Sequence, residues 1–225
     1  MFYGWWSWKF LSLLLVATVV DYFIALQIDR AIGRKRFLLL TISLVGNLGV
    51  LAYFKYCNFF IDTASIFLQK CGLNANVTTL SIVLPIGISF YTFQSLAYTI
   101  DVYRKKIPAV KGLLLYALYV AYFPQLVAGP IERAQNIFPQ LMQNRIITAE
   151  KIKSGLLLIL IGYVRKIAIA DMVAEDVRNA FSSPSEQTSL QLMRATFLFA
   201  LQIYGDFAGY TDIARGTSRI LGIEL

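Results

Sequence analysis

Phe10-Leu-Ser-Leu-Leu-Leu-Val-Ala-Thr-Val-Val-Asp-Tyr-Phe-Ile-Ala-Leu-Gln-Ile28 decides the class of this chain. The run carries a single charge, Asp21. As a helix it comes close to the ~20 apolar residues that cross a bilayer core. Trp5, Trp6 and Trp8 stand just before it, where interfacial aromatics anchor a span. Lys9 also precedes it, but no small-x-small cleavage pattern follows, so a secretory signal peptide fits poorly. After it, Asp29, Arg30, Arg34, Lys35 and Arg36 make a short basic connection. Residues 37–54 form a second, uncharged span that Lys55 ends. Residues 56–69 are apolar but short and carry Asp62, which reads as an interfacial segment.

Composition agrees. The chain has 225 residues, 57% apolar and 15% charged, where soluble domains hold about 45–50% and 25%. A water-soluble globule is disfavoured. So is a disordered chain, because 16 Phe, 13 Tyr and 3 Trp are present. There is no His, so no Ser-His-Asp triad, HExxH zinc site or His general base can be built from these residues alone. Cys57 and Cys71 are too few for a four-thiolate metal site and read as small apolar residues. No metal or cofactor is expected. The net charge of +8 suggests cytoplasmic loops and anionic lipid head groups. Neither a Gly-rich phosphate loop nor an aromatic-interleaved basic stripe is visible, so nucleic acid is not an expected partner.

Further along, residues 80–100 read as a span bent near Pro85 and Gly87. Asp101, Arg104, Lys105, Lys106 and Lys111 make a second basic connection. Residues 112–131 are uncharged but broken by Pro124, Gly129 and Pro130, which favours a re-entrant or kinked segment. A polar stretch, 132–153, precedes a span at 154–174; a polar loop, 175–189, precedes another at 190–214. The expectation is an all-α fold: a polytopic transmembrane helical bundle with short and re-entrant helices, one partial transmembrane domain over 1–225. Lys and Arg in the loops 29–36 and 101–111 place both at the cytoplasm. Asn76-Val-Thr78 matches a glycosylation sequon, a pattern common by chance.

Ionised residues at bilayer depth cost at least ~2.5–3.5 kcal/mol each at a helix centre, so they pair or border water. Three clusters qualify. Arg165, Lys166 and Asp171 form the first. Lys166 and Asp171 are five apart and do not share an α-helical face, which leaves contacts to another helix or snorkelling to the interface. Asp206, Tyr210 and Asp212 form the second: Asp206 and Tyr210 share a face, and Asp212 and Arg215 are spaced to pair. Gly205, Gly209 and Gly216 beside them allow close backbone approach. Tyr91, Gln94 and Tyr98 recur at helical spacing in the third, which runs into Asp101, Tyr103 and Arg104. Each cluster reads either as polar glue between packed helices or as the wall of a substrate path.

Leu84-Pro-Ile-Gly-Ile-Ser-Phe-Tyr-Thr-Phe-Gln-Ser95 with Ile100-Asp-Val-Tyr-Arg104 strongly resembles a signature of the membrane-bound O-acyltransferase family, in its alginate O-acetyltransferase membrane-subunit branch. Tyr122-Phe-Pro-Gln-Leu-Val-Ala-Gly-Pro-Ile131, Asp206-Phe-Ala-Gly-Tyr-Thr-Asp-Ile-Ala214, Tyr53-Phe-Lys-Tyr56 and Gly162-Tyr-Val-Arg-Lys-Ile-Ala-Ile-Ala-Asp171 resemble further motifs of that branch. The resemblance implies a multi-pass protein of the bacterial inner membrane. It implies O-acetyl transfer from a thioester, acetyl-CoA or an acyl carrier, to a polysaccharide acceptor or a partner acetyltransferase. Family members are roughly twice as long, and their catalytic His follows the segment matching residues 206–225. The expectation is therefore an N-terminal fragment, inactive alone. Its tunnel or donor-binding candidates are Tyr91, Gln94, Tyr98, Asp101, Arg104, Pro124, Gln125, Arg165, Lys166, Asp171, Asp206, Tyr210 and Asp212. The competing reading is a non-catalytic membrane transporter or interaction module with a polar intramembrane path.

Overall fold

The computed structural model describes residues 2–71 and 82–225. The sequon at Asn76 and the start of the segment read as 80–100 lie outside them. The fold is all-α, with no strand among the described residues. Two compact units divide the chain, Met1–Ala121 and Tyr122–Leu225.

In the first unit, α1 (Phe2–Trp6) leads into α2 (Trp8–Arg30), and α3 (Arg34–Lys70) follows after a short turn. Both α2 and α3 are long and apolar enough to cross a membrane, with mean hydropathies of 2.1 and 2.0 over their best windows. Trp5 and Trp8 are 94% and 73% exposed, as membrane anchors would be. At 37 residues α3 extends about 55 Å, well beyond a ~30 Å hydrocarbon core. Helix α3 runs through Lys55 without interruption, so residues 37–54 and 56–69 are one element rather than two. No Pro or cap residue stands at Lys55, and a lone Lys has good helix propensity.

Helix α4 (Ile88–Tyr103) packs on both α2 and α3. Pro85 and Gly87 precede it and do not bend it. Gly87 caps its N-terminus with φ +75°, a conformation open to Gly because it has no Cβ. Tyr3 of α1 donates to the Ile86 carbonyl at 2.7 Å, and burial pushes its phenol up to about 12. The short α5 (Leu113–Val120) closes the unit against α2 and α4. Here the core is aromatic: the Tyr98 and Tyr116 rings lie 4.8 Å apart, with Tyr22 and Tyr119 at 6.0 and 6.2 Å from Tyr116. All four are buried.

In the second unit, the turns of 122–130 precede α6 (Ala134–Met142), α7 (Ala149–Arg165), a π-helical turn (Lys166–Asp171), α8 (Met172–Ser182) and α9 (Ser189–Ile220). Thr148 caps α7 through its side chain, and Thr188 with Gln191 forms a capping box on α9. The polar residues 175–189 are largely helical: α8 continues the preceding helix through Ser182. Polarity there reflects a solvated face and not a loop. Helices α7 and α9 meet through glycine pairs. A Cβ on Gly162 would stand 2.6 Å from the Gly209 carbonyl oxygen, and one on Gly155 would stand 2.7 Å from that of Gly216. Only Gly permits that approach.

Candidate functional site

The second unit holds the charge cluster. Arg165, at the end of α7, donates to the Asp212 carboxylate of α9. Lys166, the next residue, donates to Asp206 at 2.6 Å and to Asp171 at 2.7 Å. Two cations and three carboxylates thus lie along one helix–helix seam. The π-turn explains the Lys166–Asp171 pair. In an α-helix, residues five apart diverge; the wider π-turn brings them to one side. The intrahelical pair that α-helical spacing argues against is therefore present. Gly205 makes room for this turn, since a Cβ there would stand 3.0 Å from Ala170 N and from the Arg165 carbonyl oxygen.

Arg215 is not the partner of Asp212. Its Nε donates to the Leu225 carbonyl at 3.3 Å, and Asp212 faces α7 instead. The interhelical distance, set by the glycines, decides between the two. Tyr210 faces the backbone amides of Val127 and Ala128. The turn 122–130 and the 206–214 stretch of α9 are thereby neighbours. Within that turn Pro124 and Gln125 are buried, and Gly129 donates to the Gln125 carbonyl at 3.1 Å. A Cβ on Gly129 would fall 2.3 Å from Gln125 Cα, so the turn demands Gly there.

The remaining candidates sit on α4 of the first unit. Gln94 donates to the Tyr119 carbonyl at 2.7 Å, and the Tyr98 hydroxyl accepts from Val110 N at 2.9 Å. Asp101 is buried, 3.7 Å from Lys106 Nζ. Tyr91 is buried, with no hydrogen-bond partner for its hydroxyl among the described residues, whereas Arg104 is exposed at the C-cap of α4. Gln94 and Tyr98 hold α4 to α5 and to the loop that follows α4.

One polar cluster escaped the sequence-based set. Asp21 is 1% exposed and accepts from Ser43 Oγ at 2.9 Å and Asn47 Nδ2 at 2.8 Å. It lines a mostly apolar cleft of 230 Å³ between α2 and α3, to which Tyr91 and Thr92 of α4 also contribute. An acidic residue at the middle of an apolar span was the available signal.

No protein-family model matches the chain. Curated relatives do. A probable alginate O-acetylase of Azotobacter vinelandii is 38% identical over 100% of this chain and 45% of its own length. Its counterpart in Pseudomonas aeruginosa is 39% identical over 100% of the chain and 43% of its own. A peptidoglycan O-acetyltransferase of Helicobacter pylori is 31% identical over 100% and 47%. The chain belongs to the membrane-bound O-acyltransferase family. It spans about half the length of the curated relatives it matches. The stretches that resemble family motifs carry the geometry above: 162–171 supplies the π-turn and its cations, 206–214 holds Asp206 and Asp212, and 122–131 the turn facing Tyr210.

Proposed function

We propose that this chain is the N-terminal part of a multi-pass bacterial inner-membrane O-acetyltransferase that acetylates hydroxyls of an exopolysaccharide or of peptidoglycan. The similarity across the whole chain to alginate and peptidoglycan O-acetyltransferases carries the reading. In the proposed reaction the acceptor hydroxyl oxygen attacks the carbonyl carbon of an acetyl thioester, from acetyl-CoA or an acyl carrier. The C–O bond forms, the C–S bond breaks, and the thiol leaves. A general base takes the hydroxyl proton, a contribution of typically ~10²–10⁴-fold. The resemblance implies a His as that base; the chain holds no His, so a His base would be supplied from elsewhere in the parent protein.

These residues supply the path. The seam of Arg165, Lys166, Asp206 and Asp212 keeps charge at helix depth by pairing it, so a polar substrate can pass without stranding an ion in hydrocarbon. Lys166, with 43% of its side chain exposed, is the cation of the seam most open to an anionic donor.

The test is acetyl transfer from a labelled thioester to polysaccharide by membranes holding the full-length protein. Lys166→Gln is expected to lower transfer on the order of tenfold, the worth of one contact to a charged group. A full-length protein that transfers no acetyl group overturns the proposal. Ion flux through vesicles that depends on Asp206 would favour a transporter instead.

A further inference from the structure

The two basic connections of the first unit form one surface. Arg36, buried at the start of α3, donates through Nη2 to the Val102 and Tyr103 carbonyls, both at 2.7 Å, and its guanidinium lies 5.5 Å from the Tyr103 ring centroid. The start of α3 is thus tied to the end of α4. The loop beyond α4 is pinned as well: Val110 N donates to the Tyr98 hydroxyl, and the Tyr22 hydroxyl donates to the Lys111 carbonyl. Arg34 and Lys35 from one connection, and Arg104, Lys105, Lys106 and Lys111 from the other, are all exposed. Exposed Asp29 and buried Asp101, 3.7 Å from Lys106, are the nearby acids of these connections.

Helix α4 ends in a Schellman turn, with Lys106 N bonded to the Asp101 carbonyl and Lys105 N to the Val102 carbonyl, both at 3.0 Å. The residue at the left-handed position of that turn is ordinarily Gly, because a Cβ there is strained. Here it is Lys105, at φ +57°, between Arg104 and Lys106. The fold accepts local strain to put a third consecutive cation on this surface. Such strain points to use.

We propose that this surface binds the head groups of anionic phospholipids, with Lys105 at its centre. Its place selects that partner. It lies at the common end of α2, α3 and α4, and α2 and α3 are long and apolar enough to span a bilayer. That puts the cations level with the lipid phosphates. Each cation near an anionic leaflet strengthens binding about fivefold.

The full-length protein, reconstituted in phosphatidylcholine nanodiscs doped with phosphatidylglycerol, tests this by native mass spectrometry of the retained lipid. Phosphatidylglycerol enriched over phosphatidylcholine is expected. Lys105→Glu with Lys106→Glu should abolish the enrichment. Lys105→Gly should weaken it about fivefold while raising the melting temperature, since Gly relieves the strain. A merely structural Lys105 would change the melting temperature alone. Equal retention by wild type and the double variant overturns the proposal. So does displacement of phosphatidylglycerol by millimolar inorganic phosphate, which marks a site for free phosphate. Lys70→Gln, at the far end of α3, should leave retention unchanged; a loss there equal to that of Lys105→Gly also overturns it.

Discussion

Asp212 and Asp171 both pair with cations of the 165–171 segment, yet their removal should differ. The Asp212 side chain is 9% exposed and answers Arg165, which is 36% exposed. Taking Asp212 away leaves a part-buried guanidinium without its carboxylate. Fully buried pairs lose ~3–5 kcal/mol on such truncation; with Arg165 part-exposed, Asp212→Ala should cost on the order of 2 kcal/mol. Asp171 is half-exposed and shares Lys166 with Asp206. Asp171→Asn leaves Lys166 and Asp206 as a one-to-one pair and removes a surplus negative charge. It should change stability by under about 1 kcal/mol, as exposed pairs do. Thermal melting in detergent measures both, and a larger loss for Asp171→Asn contradicts the pairing. Ionised residues at helix depth were legible as a group that needed partners. The partners were not: Asp212 passes over Arg215, three residues along its own helix, for Arg165 on the other. A choice between local and interhelical partners depends on helix separation, which glycines set from outside the cluster.

At the scale of helices, one residue type has opposite consequences in the two units. Gly162 and Gly209 press α7 and α9 together, each Cβ position within 3 Å of the other's carbonyl oxygen. Gly162→Ala forces backbone apart and should lower the melting temperature, with a loss on the order of 1–3 kcal/mol from overpacking. Gly46 of α3 has nothing within 4 Å of its Cβ position. Gly46→Ala should stabilise by up to about 1 kcal/mol through helix propensity. A melting temperature left unchanged or raised by Gly162→Ala would show that the glycine contact is not what holds α7 to α9. The three-glycine pattern 205, 209, 216 was readable as a close-approach face. The π-turn opposite Gly205 was not. Nothing in Lys166-Ile-Ala-Ile-Ala-Asp171 departs from ordinary helix-forming sequence, and the extra width shows only in the Lys166–Asp171 bond it permits. Likewise α3 looked divisible at Lys55, because a charge ends an apolar run but does not end a helix.

For the whole molecule, what was legible is the all-α class, and what local chemistry adds is where the chain divides. The boundary between units, after Ala121, falls inside the stretch that Pro124, Gly129 and Pro130 mark as broken. The sidedness of the first unit follows from its internal ties. Arg36 holds the start of α3 to the end of α4, so the connections around Ile32 and Pro108 must face one side of the membrane. Trp5, beyond the other end of α2, must face the opposite side if α2 crosses. With Cys57 and Cys71 replaced by Ser, single cysteines at these positions report this directly. Ile32→Cys and Pro108→Cys should react with an impermeant maleimide from the cytoplasmic face, as their Lys and Arg neighbours require. Trp5→Cys should react from the other. Ile32 is 90% exposed and Trp5 94%, so at these two positions burial does not limit labelling. Labelling of Ile32→Cys and Pro108→Cys from different faces would break the tie through Arg36, and with it the shared basic surface. Labelling of all three from one face would keep that surface and show that α2 lies along the membrane without crossing it.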